Sequence, residues 1–216
     1  MNEYFAAAIL GILQGLTEFL PVSSTGHLII FEEFFGLQET LGLTFDVAVH
    51  VATALAVIYF FKNDWKHILT DRMFLFAIGV GTIPAIVAGL LLENSLDAIR
   101  SINVVAAGLL LGSVLILCAE WFYTKQKNSH GPVTSMQSFV IGCFQATALI
   151  PGISRSGATI SGGLLLGKNR SDATRFSFLL STPIILAAAI KEFAKAAPTF
   201  ETEMLSVFFV GFAASF

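Results

Sequence analysis

Three stretches of this 216-residue chain, 43–61, 73–92 and 102–122, have the length that a helix needs to cross the hydrocarbon core of a bilayer, and they carry almost no charge. Backbone in hydrocarbon has to satisfy its own hydrogen bonds, which leaves helices or closed barrels, and runs this long are helices. A further apolar run covers 175–190. Another begins at Met204 and stops in its middle, at Phe216, so at least one more helix is expected beyond this end, giving about six in a full-length protein. The side-chain inventory agrees: 55% hydrophobic residues, 12% charged and a mean hydropathy of +0.78. The charged share is about half that of a soluble domain. The chain is therefore expected to be an all-α integral membrane protein. No basic patch argues for a nucleic-acid partner; the surface to expect is the lipid bilayer. Cys118 and Cys143 lie within apolar segments and are expected to be small buried hydrophobes. No cleavable signal is expected, because the N-terminus lacks a basic region.

Against this background the stretch QGLTEFLPVSSTGH, Gln14 to His27, stands apart. It gathers an amide, a carboxylate, three consecutive hydroxyls, a glycine and an imidazole around Pro21. A lipid-facing helix could not tolerate such a set, so it reads as a polar site at membrane depth. Shifting the chain by 131 residues lays Phe144–Ile160 over Leu13–Ile29. Gln14 then falls on Gln145, Ser23 on Ser154, Thr25 on Ser156 and Gly26 on Gly157. Outside the stretch, Gly11 meets Gly142, Gly36 meets Gly167 and Phe45 meets Phe176. The copies are complementary: the first carries Glu18 and His27, the second Arg155. Repeats broken by Gly and Pro at matching places point to a site at the repeat interface.

Residues 4–37 and 134–167 thus read as two re-entrant helical hairpins, each with a polar tip, within a first repeat over 1–92 and a second over 134–216. If each hairpin returns to its own side, one face receives Lys62, Lys66, Arg72, Lys125, Lys127, Lys168, Arg170 and Arg175; the other receives Arg100, Lys191 and Lys195. Eight against three puts the first face in the cytoplasm and the N-terminus outside. The hairpins then enter from opposite sides, an inverted-topology repeat. Trp121 and Tyr123 read as an interfacial belt, residues 125–132 as a hydrophilic loop, and Gly79, Gly81 and Pro84 as an interruption of the second span.

Arg155 is the one basic residue placed in the middle of a membrane segment. A structural pair with Glu18 would explain it, but hydroxyls, helix-start N–H groups and a forked cation together describe a phosphate cradle. Ser154, Ser156 and Thr159, with backbone N–H groups around Gly26 and Gly157, would complete it. Gln14 and Glu18 share a helix face and could hold a divalent cation or orient a water. Ser24 is a candidate nucleophile if His27 or Glu18 takes its proton; water activated by either group is the other option. Ser23 and Thr25 are expected to support the loop. Asp46 and His50 line the cavity or tie to the hairpin. Glu32 and Glu33 are expected at the outer surface, and Arg170, Asp172 and Arg175 in a solvated loop.

QGLTEFLPVSSTGHL and PGISRSGATISGG resemble the two signature motifs of the undecaprenyl-diphosphate phosphatases, the bacitracin-resistance family of bacterial inner membranes. The resemblance runs over essentially the whole chain, including CFQATALIPG and the VGF near its end. It implies dephosphorylation of a C55 polyprenyl diphosphate to the monophosphate, recycling the lipid carrier of cell-wall synthesis. It also implies dependence on a divalent metal (Mg2+ or Ca2+) and a site opening to the periplasmic side, and it allows a homo-oligomer. The (E/Q)-x-x-x-E motif falls on Gln14 and Glu18, the serine and histidine implicated in the family's catalysis on Ser24 and His27, and P-G-x-S-R-S on Pro151 to Ser156. A glutamine stands where many members have the first glutamate, which weakens a metal-ligand role for Gln14. The competing reading is a polyprenyl-phosphate transporter, which would need the same pocket. Glu18 and His27 favour the enzyme, because transport needs no acid–base pair.

Overall fold

The computed structural model describes residues 2–37, 41–96, 98–126, 131–197 and 204–216. No strand occurs among them. Eleven helices follow in order: α1 (Glu3–Thr17), α2 (Ser24–Phe35), α3 (Gly42–Phe60), α4 (Lys62–Thr70), α5 (Arg72–Leu91), α6 (Glu93–Leu96), α7 (Ile102–Tyr123), α8 (Ser135–Thr147), α9 (Arg155–Leu165), α10 (Arg170–Ala196) and α11 (Leu205–Ser215). Of these, α3, α5, α7 and α10 are long and apolar enough to cross a membrane, and the chain is a multi-pass helical membrane protein. The pairs α1–α2 and α8–α9 form the two expected hairpins. At 1.5 Å per residue the 15 residues of α1 reach about 22 Å and the 13 of α8 about 20 Å, short of a ~30 Å core.

Helix starts are set by side chains. Asp71 accepts from the amides of Met73 and Phe74 to open α5, and Ser101 from Val104 to open α7. Thr134 and Gln137 form a reciprocal capping box on α8, and Asn169 caps α10. The Asn169 cap changes one expectation. Arg170, Asp172 and Arg175 belong to the first turns of α10, with Arg170 paired to Glu120 and Arg175 to Asp64. The polar stretch after α3 is likewise a short amphipathic helix, α4, which buries Ile68. The second span is not interrupted: α5 runs through Gly79, Gly81 and Pro84. Cys118 and Cys143 are free thiols on exposed faces rather than buried. Residues 127–130 of the hydrophilic loop, Lys127 among them, and 198–203 of the second repeat lie outside the described residues.

Lipid offers helices no hydrophobic reason to associate, so close backbone packing has to hold them together. The first helix of each hairpin packs on a helix distant in sequence, α1 on α11 and α8 on α5. Glycine makes both contacts. A Cβ on Gly11 would sit 2.3 Å from the Gly211 carbonyl oxygen, and one on Gly142 would sit 2.1 Å from that of Gly81. Gly11 and Gly142 are the pair matched at an offset of 131. Their partners Gly81 and Gly211 are matched at 211 − 81 = 130. Ser138 adds a hydrogen bond to the Ala77 carbonyl at 2.5 Å. Phe45 and Phe176, another matched pair, anchor the two main apolar clusters, and α3 crosses α10 between them.

This packing predicts that Gly142→Val drives a side chain into the α5 backbone and lowers stability by about 1–3 kcal/mol. Gly79→Ala, on an open face of α5, should not lower it and should raise it by up to about 1 kcal/mol. Thermal unfolding in detergent compares them, and equal melting of the two variants would contradict the close-contact account.

Candidate active site

The two hairpin tips meet inside the helix bundle. In the first, α1 ends as the Glu18 amide bonds the Gln14 carbonyl, and a turn through Pro21 leads to Ser23. Ser23 has φ +65°, the one non-glycine residue with positive φ among those described, a conformation that costs energy outside glycine. Its hydroxyl accepts from the Gly26 amide at 3.3 Å and so caps α2. In the second tip, positive φ falls instead on Gly152 (+97°), whose backbone lies against α7 at Val105 and Gly108. Ser154 caps α9 by accepting from the Gly157 amide at 3.1 Å. The repeated Ser-x-x-Gly spacing is thus a pair of helix caps. Both helix starts aim their unpaired amides and positive dipole ends towards the junction.

Contacts between the tips lock them together. Ser156 donates to the Leu20 carbonyl at 3.2 Å and also bonds Ser154 Oγ at 3.1 Å. A Cβ on Gly26 would sit 3.4 Å from Gly152 Cα, and one on Gly157 3.4 Å from Pro21 Cβ. The strongest contact is ionic: one guanidinium nitrogen of Arg155 donates to Glu18 Oε1. The other, Nη1, is buried without a partner.

Glu18 is the hub. Its Oε2 accepts from Ser24 Oγ at 2.6 Å and from Gln14 Nε2 at 3.0 Å, and faces His50 Nε2 at 3.6 Å. The His50 ring is oriented by its Nδ1–H, which donates to the Asp46 carbonyl at 2.7 Å, so Nε2 is the nitrogen that faces Glu18 and, at 3.5 Å, Thr25 Oγ1. A cavity of about 290 Å3 opens onto this cluster, with Glu18, Ser24, Thr25, Arg155, Ser156 and His50 on its polar wall. Ser23 and Ser154 also reach it. Gln14 stands behind Glu18, fully buried, with Oε1 lacking a partner. The amide presents Nε2 rather than Oε1 to the carboxylate, so of the two expected ligands only Glu18, which borders the cavity, is placed to share a divalent cation with a substrate's oxygens. Among the described residues no group of three His, Cys, Asp or Glu side chains could hold a metal by itself.

Several expected residues lie elsewhere. Gly26 and Gly157 serve the caps. Thr159 is buried one turn down α9 and ties it to α10, through Ser177 Oγ at 2.6 Å. His27 is not on this cavity. Its Nδ1–H donates to the Ser23 carbonyl at 2.8 Å, bracing the strained turn, and its ring faces a separate cavity against α7, which shares Ser154 as a wall. His50, expected either to line the cavity or to tie to the hairpin, does both. Glu32 is fully buried rather than on the outer surface, whereas Glu33 is exposed. The reason is Arg100, whose side chain reaches the cavity mouth and donates to Asp46 at 2.6 Å and Glu32 at 3.2 Å. Burial works against the Arg100 charge, and the Asp46 and Glu32 carboxylates more than reverse this, raising its pKa above the ordinary value. Sequence reasoning missed Arg100, which counted only as an outer-face charge; the available signal was a lone arginine next to the Ser101 cap of α7.

The chain was compared with known proteins. It is 44% identical over 214 residues to an undecaprenyl-diphosphatase of Thermodesulfovibrio yellowstonii, a match covering 98% of this chain and 82% of that relative. A family model described as bacitracin resistance protein BacA matches residues 7–216, which takes in both hairpin tips and every residue of the site. On that match the chain belongs to the bacitracin resistance protein BacA family.

Proposed function

We propose that the chain hydrolyses undecaprenyl diphosphate to the monophosphate and inorganic phosphate, at the junction of the two hairpin tips. The observation that carries this reading is the joining of Ser24, Glu18 and Arg155: a hydroxyl hydrogen-bonded to a carboxylate, beside a guanidinium with one arm free. Family membership and the name of the 44% identical relative support the substrate. The pairing of α1 with α11 and of α8 with α5 supports hairpins of opposite entry. With the lysine- and arginine-rich face inside, the cavity opens to the outer side of a bacterial plasma membrane.

The diphosphate enters with its terminal phosphate against Arg155 Nη1, Ser156 and the amide-bearing starts of α2 and α9, which offset charge in the transition state. Ser24 Oγ attacks the terminal phosphorus in line with the bridging oxygen and gives its proton to Glu18 Oε2. The bond from phosphorus to the bridging oxygen breaks, and the lipid monophosphate leaves. Water then attacks the phosphoserine, the Ser24–phosphorus bond breaks, Oγ takes back the proton from Glu18, and inorganic phosphate departs. Gln14 and His50 hold Glu18 in place, and His27 keeps the Ser23 turn in its left-handed form. A divalent cation held by Glu18 and the substrate's oxygens would supply Lewis-acid polarisation of the terminal phosphate.

Phosphate release from purified protein tests the reading. Glu18→Gln should lower kcat by about 10²–10⁴, the range for loss of a general base, and chelation of divalent metal should lower wild-type turnover. Arg155→Lys should cost at least about tenfold, because a point charge does not replace a fork; near-normal turnover would remove the cradle. Acid-quenched enzyme should retain label from the terminal phosphate in wild type and none in Ser24→Ala, and a Ser24→Ala enzyme that turns over normally would move the attack to water.

A further inference from the structure

The site cavity does not end at its polar wall. A second cavity of about 270 Å3 lies beside it between α3, α5 and α10. Leu43, Val47, Leu149, Ile184 and Ala188 line both, so the two spaces adjoin. Small residues on facing walls create the second space. Gly89 of α5 borders it, and a Cβ there would meet no atom within 4 Å; Ala187 and Ala188 of α10 face it from the other side. Its outer end is closed by polar contacts, Lys191 Nζ with Glu93 at 2.8 Å and Thr44 with Glu192 at 3.1 Å. Its lateral lip is apolar and exposed, at Ile86 and Leu90 of α5.

The order of chemistry along this path is guanidinium and hydroxyls, then apolar walls, then an opening towards lipid. We propose that this groove holds the first isoprene units of the substrate's own tail, so that the lipid enters and leaves sideways between α5 and α10 while its diphosphate stays at Arg155. The proposal rests on the phosphatase reading and adds a tail subsite whose gatekeepers are Gly89 and Ala188. Adjacency to the phosphate cavity selects the substrate's tail over a bulk acyl chain, which has no polar head to place at Arg155. An apolar pocket that buries part of a tail gives preference for longer chains, because binding energy remote from the reacting bond appears in the rate.

The test compares a C55 prenyl diphosphate with a one-unit C5 prenyl diphosphate in the same mixed micelles. Wild type should show the higher kcat/KM on C55. Gly89→Phe puts a ring into open groove and should lower kcat/KM on C55 by about tenfold or more while changing that on C5 by less than about twofold. Ala188→Phe plugs the groove from the other wall and should do the same, whereas Gly79→Phe, on an open face of α5 away from the groove, should leave both substrates unaffected. Unchanged C55 turnover in both plugged variants, as expected if only bulk lipid fills the groove, overturns the proposal. So does an equal loss on C55 and C5. Should wild type hydrolyse neither substrate, the phosphatase reading fails by itself, and the groove is then judged by binding of non-hydrolysable C55 and C5 methylene diphosphonates. Tighter binding of the long probe, lost in Gly89→Phe, sustains the tail subsite; equal binding of both probes by wild type overturns it.

Discussion

The ion pair between Glu18 and Arg155 organises everything around it. Each group alone at this depth would carry a cost of several kcal/mol, and a carboxylate or guanidinium left unpaired by loss of its partner would pull its hairpin towards water. Paired, they pin two separate tips against each other and fix the direction in which the remaining guanidinium nitrogen points. The pair cannot be formed by neighbours in sequence: Glu18 and Arg155 are 137 residues apart, and only the docking of both hairpins inside the bundle brings them together. The small residues around them, Gly26, Gly152 and Gly157, let the backbones come close enough for that contact. Ser23 accepts an unfavourable backbone conformation in the same place, which is where strain tends to persist when the surroundings over-determine a residue.

The rest of the bundle supplies the rigidity that this arrangement needs. Helices in lipid gain little from burying apolar side chains against one another, so the two hairpins are held by glycine contacts to α11 and α5 and by the bond of Ser138 to the Ala77 carbonyl, while α11 is tied in turn to α3 by Ser215 to Val49. The caps serve the same end. Ser23 and Ser154 bind the amides of Gly26 and Gly157, so Ser24 and Arg155, the residues next to them, are presented at the start of a helix, where the chain direction is fixed.

Much of this was legible in the chain itself. Long apolar runs give the bounds of α3, α5 and α7 nearly to the residue, because hydrocarbon admits few alternatives, although the glycines and proline of the second run do not break α5 as expected. The 131-residue offset marks both tips, since caps and close contacts require particular residues at particular spacings. What stayed hidden depends on partners distant in sequence. Glu32 looks like a surface acid until Arg100 is brought across to it. Asp172 and its basic neighbours look like a loop until the Asn169 cap turns them into the start of α10. His27 reads as the catalytic imidazole and His50 as a lining residue or a tie to the hairpin; the turn at Ser23 reverses this by pointing the His27 ring towards α7, which leaves His50 to face Glu18.

The complementarity of the two tips has a consequence for assembly. Two first halves facing each other would bring together two carboxylates with no cation, and two second halves would bring together two guanidiniums with no counter-charge. Neither symmetric dimer is a simpler version of the molecule, since each would place like charges at the depth where charge is costliest. Joining the halves in one polypeptide fixes their stoichiometry at one to one. Every folded chain therefore carries one complete and neutral junction, and the linkage through α7 and its flanking loops does work that no side chain of the junction could do alone.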